Sequence, residues 1–450
     1  MNVAAGNKEM RNPVLERWRQ VLSAGSGTAV FGPSGEALRT WADIEEEASL
    51  LAETLSGEPG AVALQTGNSP AFPALLLGCW RAGRAVCLFD ADLRGAGRDE
   101  IERELGATTR VGVREGKPHF ERTLAGTVRP DGMDLFKLTS GTTARPRALG
   151  FSALELLADC DQICETMGIR TDDLNFGVIA FSHSYGFSNL ITPLLCRGIR
   201  LVAASDALPR AIEAGLASSG ATVLPAVPTL FRGLLPATSL PPALRLCISA
   251  GAPLDPALGR EFHARFRLKL HSFYGASECG GICYDASDDV PDEPGFVGRP
   301  LKGVAIEVPA SPPPFRILIR SRAVGSGGGT FSPDDLLVRE ERGFRIVGRE
   351  SDLINVSGKK VNPAEIEQAL AQCPGVRGAV VCAVEEEVRC QEICALIAGE
   401  GEAAALRRHC AELLAAWKVP RRFAFVSEIP VGPRGKVSRK EIAKRFFGAR

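Results

Sequence analysis

Apolar and polar positions along the first 250 residues switch repeatedly between two periods. Ala42–Leu55 carries apolar residues at helical spacing with acidic residues between them. Gly60-Ala61-Val62-Ala63-Leu64-Gln65 is a short apolar run of strand length. Ala71–Ala82 returns to a helical pattern, and Ala85-Val86-Cys87-Leu88-Phe89 is the next strand. After residue 150 the rhythm resumes. Leu154–Met167 is helix-like, Phe176–Phe181 strand-like and Ser188–Leu195 helix-like, while Ile199–Ala203, Thr222–Pro225 and Leu244–Ser249 read as further buried strands. Strands that alternate with helices predict a largely parallel sheet with helices on both faces.

The texture changes near residue 291. Pro312-Pro313-Pro314, Gly327-Gly328-Gly329 and short alternating segments such as Phe315–Ile319 predict short strands, edges and loops rather than βα units. The last hundred residues form another unit: a helix from Pro363 to Cys373, a strand at Gly378–Val384, a helix at Ala403–Ala416 and a strand at Phe423–Phe425. A small α+β domain appended to a large α/β domain is the simplest architecture, and no internal repeat is visible.

Composition narrows the function classes. The 450 residues exceed what one ordinary core serves, so two or more domains are expected. Lys and Arg balance Asp and Glu at 53 each, which argues against a dedicated nucleic-acid binder. Residues 401–450 are uneven, with 12 Lys and Arg against 4 Asp and Glu, a local net charge of +8. That excess is either a solvated helical face or a surface for a polyanionic partner. Many of the 13 cysteines sit in apolar runs, none has zinc-type spacing, and they read as buried thiols of a reducing compartment. No apolar run reaches the roughly 20 residues of a membrane span, and a soluble cytoplasmic protein is expected.

Candidate chemistry begins at Asp134–Leu138, a strand that runs into Thr139-Ser140-Gly141-Thr142-Thr143-Ala144-Arg145-Pro146-Arg147. Small hydroxyl residues and Gly let backbone N–H groups approach a polyphosphate, each hydroxyl adds a donor, and Arg145 and Arg147 supply charge in bidentate form. The same residues also suit an ordinary turn before the next element. The Walker pattern is absent here. The segment resembles the phosphate loop of the adenylate-forming superfamily, which includes acyl- and aryl-CoA synthetases, peptide-synthetase adenylation domains and luciferases. Ala144, Arg147 and Ala148 stand where that family usually has Gly, Lys and Gly.

Further motifs follow in the family's order. Phe181-Ser182-His183-Ser184-Tyr185-Gly186 resembles its P-x-x-H-x-x-G segment, which implies that His183 lies by the acyl pocket. Ser249-Ala250-Gly251-Ala252-Pro253 resembles S-G-G-A-P, implying backbone along the adenine. Ser272-Phe273-Tyr274-Gly275-Ala276-Ser277-Glu278 resembles Y-G-x-T-E. Tyr274 offers a flat face to a base, and Glu278 a hard carboxylate to Mg²⁺. Pro333-Asp334-Asp335-Leu336 sits where the family has T-G-D-L, so Asp335 is expected on the ribose hydroxyls. The longest match runs from Gly348-Arg349 to Glu365-Ile366-Glu367. It implies that Arg349 contacts the ribose or α-phosphate, Ser351 is the hinge and Gly358 lies near the thiol channel. Ile429-Pro430-Val431-Gly432-Pro433-Arg434-Gly435-Lys436 resembles L-P-x-T-x-x-G-K and makes Lys436 the cation for the carboxylate and α-phosphate.

The resemblance implies an α/β fold of stacked layers with a small β-rich, barrel-like part and a mobile α+β lid. The domains are residues 1–348, a hinge at 349–351 and a lid at 352–450. It implies ATP, Mg²⁺ and CoA or a phosphopantetheinyl carrier as cofactors, with Lys436, Glu278, Arg349 and His183 as the catalytic set. The apolar stretch Ser182–Leu195, with Tyr185 and Phe187, suits a fatty or aromatic acid, and Gly280-Gly281 is expected to leave room for it. Activation of such an acid for CoA is the leading expectation. Loading of an acyl or aryl carrier protein, and a non-catalytic nucleotide-binding member suggested by Ala144, Arg147 and Ala250, are the alternatives.

Overall fold

A computed structural model describes residues 12–123, 132–139, 147–356, 359–386, 390–430 and 437–448. The chain forms two compact units. The first holds Met1–Glu307 with Leu318–Ser332 and Glu341–Phe344; the second holds Val308–Ile317 with Pro333–Glu340 and Arg345–Arg450.

The first unit opens with α1 (Pro13–Ala24), the hairpin β1 (Thr28–Phe31) and β2 (Ala37–Thr40), and α2 (Trp41–Thr54). Thr40 and Asp43 form a reciprocal capping box that fixes where α2 starts. There follow β3 (Ala61–Gln65), α3 (Phe72–Arg81), β4 (Val86–Leu88), α4 (Ala96–Glu104), the hairpin β5 (Ala107–Arg114) and β6 (Lys117–Arg122), β7 (Leu135–Thr139) and β8 (Arg147–Phe151). These make a six-stranded sheet in the order β6-β5-β3-β4-β7-β8. Its inner pairs are parallel and its two outer pairs antiparallel.

The chain continues through α5 (Ala153–Met167), β9 (Leu174–Gly177), one helical turn at Ser184–Gly186, a π-helical turn at Phe187–Ile191 and α6 (Thr192–Arg197). Then come β10 (Arg200–Ala203), α7 (Pro209–Ser219), β11 (Val223–Ala226), α8 (Pro228–Leu234), β12 (Leu246–Ser249), α9 (Pro256–Phe266), β13 (Leu270–Ala276), β14 (Gly280–Tyr284) and β15 (Phe296–Pro300). Within this unit their order is β15-β14-β13-β12-β11-β9-β10-β1-β2. The strands from β13 through β1 pair in parallel. The burial pattern of β11 and β12 is continuous rather than alternating, as a sheet covered on both faces requires. Phe176, Phe231 and Phe262 anchor the core on one side. Each is essentially inaccessible, and its burial is worth about 1.5–3 kcal/mol.

The β-rich part is open. β16 (Ala305–Glu307), β17 (Leu318–Arg320) and β18 (Thr330–Phe331) form a three-stranded antiparallel sheet, with no closed barrel among the described residues. The segment is too short in sequence to supply the strands that closure needs.

The second unit contains β19 (Asp335–Glu340), most of β20 (Gly343–Arg349), β21 (Ile354–Val356), β22 (Lys359–Val361), α10 (Pro363–Ala371), β23 (Val376–Glu386), β24 (Cys390–Gly399), α11 (Ala403–Leu413), β25 (Arg422–Val426) and α12 (Arg439–Phe447). β22-β21-β24-β23 is one sheet, and β25 joins β24 in parallel. Its helices and strands bury Ile366, Leu370, Val381 and Leu406 on one side and Leu396, Ile442 and Phe447 on the other. This is the α+β domain that the sequence predicts. Cys79, Cys87, Cys160, Cys164, Cys196, Cys247, Cys279, Cys283, Cys373, Cys382, Cys394 and Cys410 are buried free thiols.

Candidate active site

In parallel sheets the loops beyond the carboxyl ends of strands are where ligands bind, and the predicted motifs of the first unit fall there. β7 ends at Thr139, which pairs with Arg147 at the start of β8. Ser140, Gly141, Thr142 and Thr143 lie outside the described residues.

β9 stops at Gly177, four residues short of the predicted end. The Asn68 amide is the reason. It donates to the carbonyls of Gly177, Ile179 and Ala204 at 3.0, 3.1 and 2.9 Å, and its oxygen accepts from the Phe181 N–H at 2.9 Å. One side chain therefore bends the segment that delivers His183. Beyond it, the predicted helix is wound as a π turn, a form that recurs at functional sites. Gly186 is required here, since a Cβ would lie 2.1 Å from the Ala180 carbonyl oxygen.

His183 Nε2 lies 3.2 Å from Asp90 Oδ1, and the same carboxylate oxygen accepts from the Ser182 hydroxyl at 2.9 Å. Asp90 follows β4, and nothing in its local sequence marks it. The Tyr185 hydroxyl donates to the Ile248 carbonyl of β12 at 2.8 Å, and its ring centroid is 6.0 Å from that of Phe273. Burial pushes the Tyr185 phenol well up, so the group stays a protonated donor.

β13 and β14 form an antiparallel hairpin, with Tyr274 opposite Cys283 and Ala276 opposite Gly280. Ser277, Glu278 and Cys279 are its tip. Tyr274 is buried, Gly275 exposed, and Ala276, Ser277 and Glu278 half-buried. The Glu278 carbonyl accepts from the Gly325 N–H at 2.9 Å, which fixes the tip from its backbone. At the end of β12, Gly251 has φ +82° and is exposed together with Ala252 and Pro253. Backbone presented in this way can border a planar base.

On the side where a Cβ would stand, Gly280 and Gly281 are packed against protein. A Cβ on Gly280, where φ is +69°, would lie 2.1 Å from Asp159 Oδ1; one on Gly281 would meet Leu301 at 2.5 Å and Phe273 at 3.0 Å. These glycines make room for packing and for a buried carboxylate.

In the second unit two predicted residues touch: Arg349 Nε donates to Asp335 Oδ1 at 3.0 Å. Asp334, where the family usually has Gly, accepts from the Ser351 N–H at 3.1 Å and caps the turn Glu350–Asp352. Gly358 and Lys436 lie outside the described residues. Arg439, three residues beyond Lys436, is held by Asp352 at 3.2 Å, by Glu367 at 3.1 Å and by the Val381 carbonyl at 2.7 Å. Sequence reasoning missed Arg439 because its partners lie 58 to 87 residues away.

Among the described residues no three His, Cys, Asp or Glu side chains converge on a metal position. Mg²⁺ held mainly by phosphate oxygens and water needs only one or two protein carboxylates, and Glu278, the carboxylate expected for it, is half-buried. No helix among them is long and apolar enough to cross a membrane.

Known proteins match this arrangement. The model for the AMP-binding enzyme matches residues 124–312, and that for the AMP-binding enzyme C-terminal domain matches residues 365–436. A sulfoacetate–CoA ligase of Cupriavidus necator is 29% identical over 70% of this chain and 67% of its own length. A benzoate–CoA ligase of Thauera aromatica is 29% identical over 77% and 70%. A 3,4-dihydroxybenzoate–[aryl-carrier protein] ligase of Bacillus anthracis is 26% identical over 68% and 72%. ATP-bound MatB from Rhodopseudomonas palustris shares the fold, with a TM-score of 0.80 at 21% identity over 96% of this chain and 98% of that one. With the two family models together covering more than half of its length, the chain belongs to the adenylate-forming AMP-binding enzyme family.

Proposed function

We propose that this protein is an AMP-forming acid–thiol ligase that activates a fatty or aromatic carboxylic acid with ATP and passes the acyl group to CoA. The observation that carries the reading is the β13–β14 hairpin, with Tyr274 at its base and half-buried Glu278 at its tip. Family membership and the CoA ligases among the relatives support it.

A carboxylate is a poor electrophile. Its oxygen attacks the α-phosphorus of ATP, the bond to the bridging oxygen breaks, and pyrophosphate leaves with the electron pair. The thiol of CoA then displaces AMP from the mixed anhydride. The first step transfers no proton, so the protein's work is positioning and charge neutralisation. Residues 139–147 hold the phosphates, Gly251, Ala252 and Pro253 border the adenine, and Tyr274 to Ser277 complete the nucleotide site. Asp335 and Arg349 serve the ribose and α-phosphate, and Lys436 joins the substrate carboxylate to the α-phosphate. Glu278 would hold Mg²⁺, which neutralises phosphate charge when bound. His183 and Tyr185 line the acyl side. Ser351 is the hinge about which the lid turns, and Gly358 borders the thiol path.

The basic segment 401–450 suits the phosphates of CoA. It also suits an acidic carrier protein, and the carrier-protein ligase among the relatives favours that second reading. Exchange of labelled pyrophosphate into ATP across a panel of fatty and aromatic acids tests the proposal. Acid-dependent exchange, with AMP release stimulated by CoA, is expected. Stimulation by a phosphopantetheinyl carrier alone selects the second reading, and no exchange with any acid identifies a non-catalytic member.

A further inference from the structure

Asp159, in the middle of α5, is 3% exposed, and Lys137 in β7 is 1% exposed. Neither belongs to a motif. Asp159 Oδ1 accepts from the Gly281 N–H at 2.9 Å, and Oδ2 accepts from the Ser188 hydroxyl at 2.5 Å. Lys137 Nζ lies 3.4 Å from the Ser188 oxygen and over the Phe151 and Phe187 rings, at 4.7 and 5.2 Å. Burial pulls the Lys137 ammonium below its ordinary range, and the Asp159 charge opposes that.

The elements joined are the ones that carry the chemistry. Lys137 stands two residues before Thr139. Ser188 lies in the π turn that follows His183 and Tyr185. Gly281 is the second residue of β14, the strand that follows Glu278. The fit is close, since a Cβ on Gly280 would lie 2.1 Å from Asp159 Oδ1. Buried charge pairs give little net stability over an apolar pair of similar size, so the better-attested use of such a pair is to fix geometry.

We propose that Asp159, charge-balanced by Lys137, is a positioning residue that holds the Glu278 hairpin in register with the acyl-side π turn and the phosphate strand. The inference rests on the nucleotide-site reading above. The Gly281 N–H tether lies between the tip and Tyr274, which pairs with Cys283 further down the hairpin. Loosening it moves Glu278 more than it moves Tyr274 or the adenine border at Gly251, so it weakens binding of Mg·ATP more than binding of AMP, which lacks the β- and γ-phosphates.

The test compares Lys137→Met/Asp159→Leu with Lys137→Met/Asp159→Asn. Asparagine keeps a carbonyl that can accept from the Gly281 N–H, and leucine does not. Lys137→Met/Asp159→Ala is made beside them, so that a folding failure of the leucine variant leaves the comparison intact. Melting temperature and calorimetric affinities for Mg·ATP and AMP are measured on each. The leucine and alanine variants are expected to lose about fivefold or more in Mg·ATP affinity, the worth of one hydrogen bond. AMP affinity stays within about twofold, and the asparagine variant stays within about twofold of wild type for both ligands. Equal Mg·ATP affinity in all variants, or parallel loss of AMP and ATP, overturns the positioning role while leaving the proposed function standing. Wild-type protein that binds no Mg·ATP overturns both.

Discussion

Arg349 and Asp335, 14 residues apart in sequence, form an ion pair at 3.0 Å on β19 and β20. The Asp335 side chain is 14% exposed and that of Arg349 59%. The aspartate is thus set in place by a partner that is itself expected at the nucleotide. Asp335→Ala should therefore do two things: remove the acceptor for the ribose hydroxyls and remove the carboxylate that pairs with Arg349. We expect the ATP KM in pyrophosphate exchange to rise by about tenfold or more, the scale of a charge-assisted hydrogen bond. Arg349→Lys should not rescue, because an ammonium lacks the planar fork. An unchanged ATP KM in Asp335→Ala would sink the ribose assignment.

Lys436→Ala is expected to slow acyl-adenylate formation by roughly 10²–10³, measured as a single turnover at saturating ATP and acid. Because the lysine is assigned to charge that develops on the α-phosphate, kcat should fall more than the ATP KM rises. Adenylation near the wild-type rate removes Lys436 from the catalytic set.

Asp90 shares its carboxylate between the Ser182 hydroxyl and His183. Asp90→Ala removes the carboxylate beside the imidazole, and we expect the acid KM to rise by about five- to tenfold while the ATP KM holds within about twofold. If both constants change together, Asp90 supports the fold rather than the acyl side.

Asp173, 1% exposed, accepts from Arg245, from the Thr222 hydroxyl at 2.8 Å and from the Arg170 N–H at 2.7 Å. Burial pushes its carboxyl up, but the Arg245 guanidinium, the Arg170 N–H and the Thr222 hydroxyl together outweigh burial and leave it below 3.8. A folded-state value below the unfolded one means that this group's stabilisation is complete above about pH 4. It is lost as pH falls through the folded value. Asp173→Ala should cost about 3 kcal/mol at pH 7, as for a broken buried pair. The gap between wild type and variant in unfolding midpoint should narrow on acidification below pH 4. A gap that stays constant from pH 7 to about pH 3 contradicts the linkage.

Gly186 packs against the Ala180 carbonyl within the turn that presents Tyr185. Gly186→Ala must displace that turn. We expect a loss of about 1–3 kcal/mol in stability, the overpacking range, together with a raised acid KM. A variant with wild-type melting temperature and wild-type acid KM would show that the turn tolerates the shift.

Much of the fold is legible in the sequence because its elements are locally dictated. α2, α3, α5 and α10 fall within two residues of their predicted ends, since apolar spacing and caps such as Thr40 and Ser152 act over one turn. β9 is the exception: its apolar run reaches Phe181, yet the strand stops at Gly177 because Asn68, more than a hundred residues earlier, takes the backbone. β24 carries polar residues near its start and escapes the pattern, although it pairs along nearly its whole length with β23.

The sequence by itself determined the family, the order of the motifs and the residue types at the candidate nucleotide site, because phosphate, base and ribose chemistry each demand particular side chains at short spacing. Tertiary structure alone decided what holds those motifs in place. Asp90 meets Ser182 across 92 residues, Asp159 meets Gly281 across 122, and Lys137 meets Ser188 across 51. A buried charge or amide finds its partner only when distant strands are brought together, so nothing in its neighbours along the chain announces the role. The same reason sets a buried carboxylate against Gly280, which nothing near that position in the sequence announces.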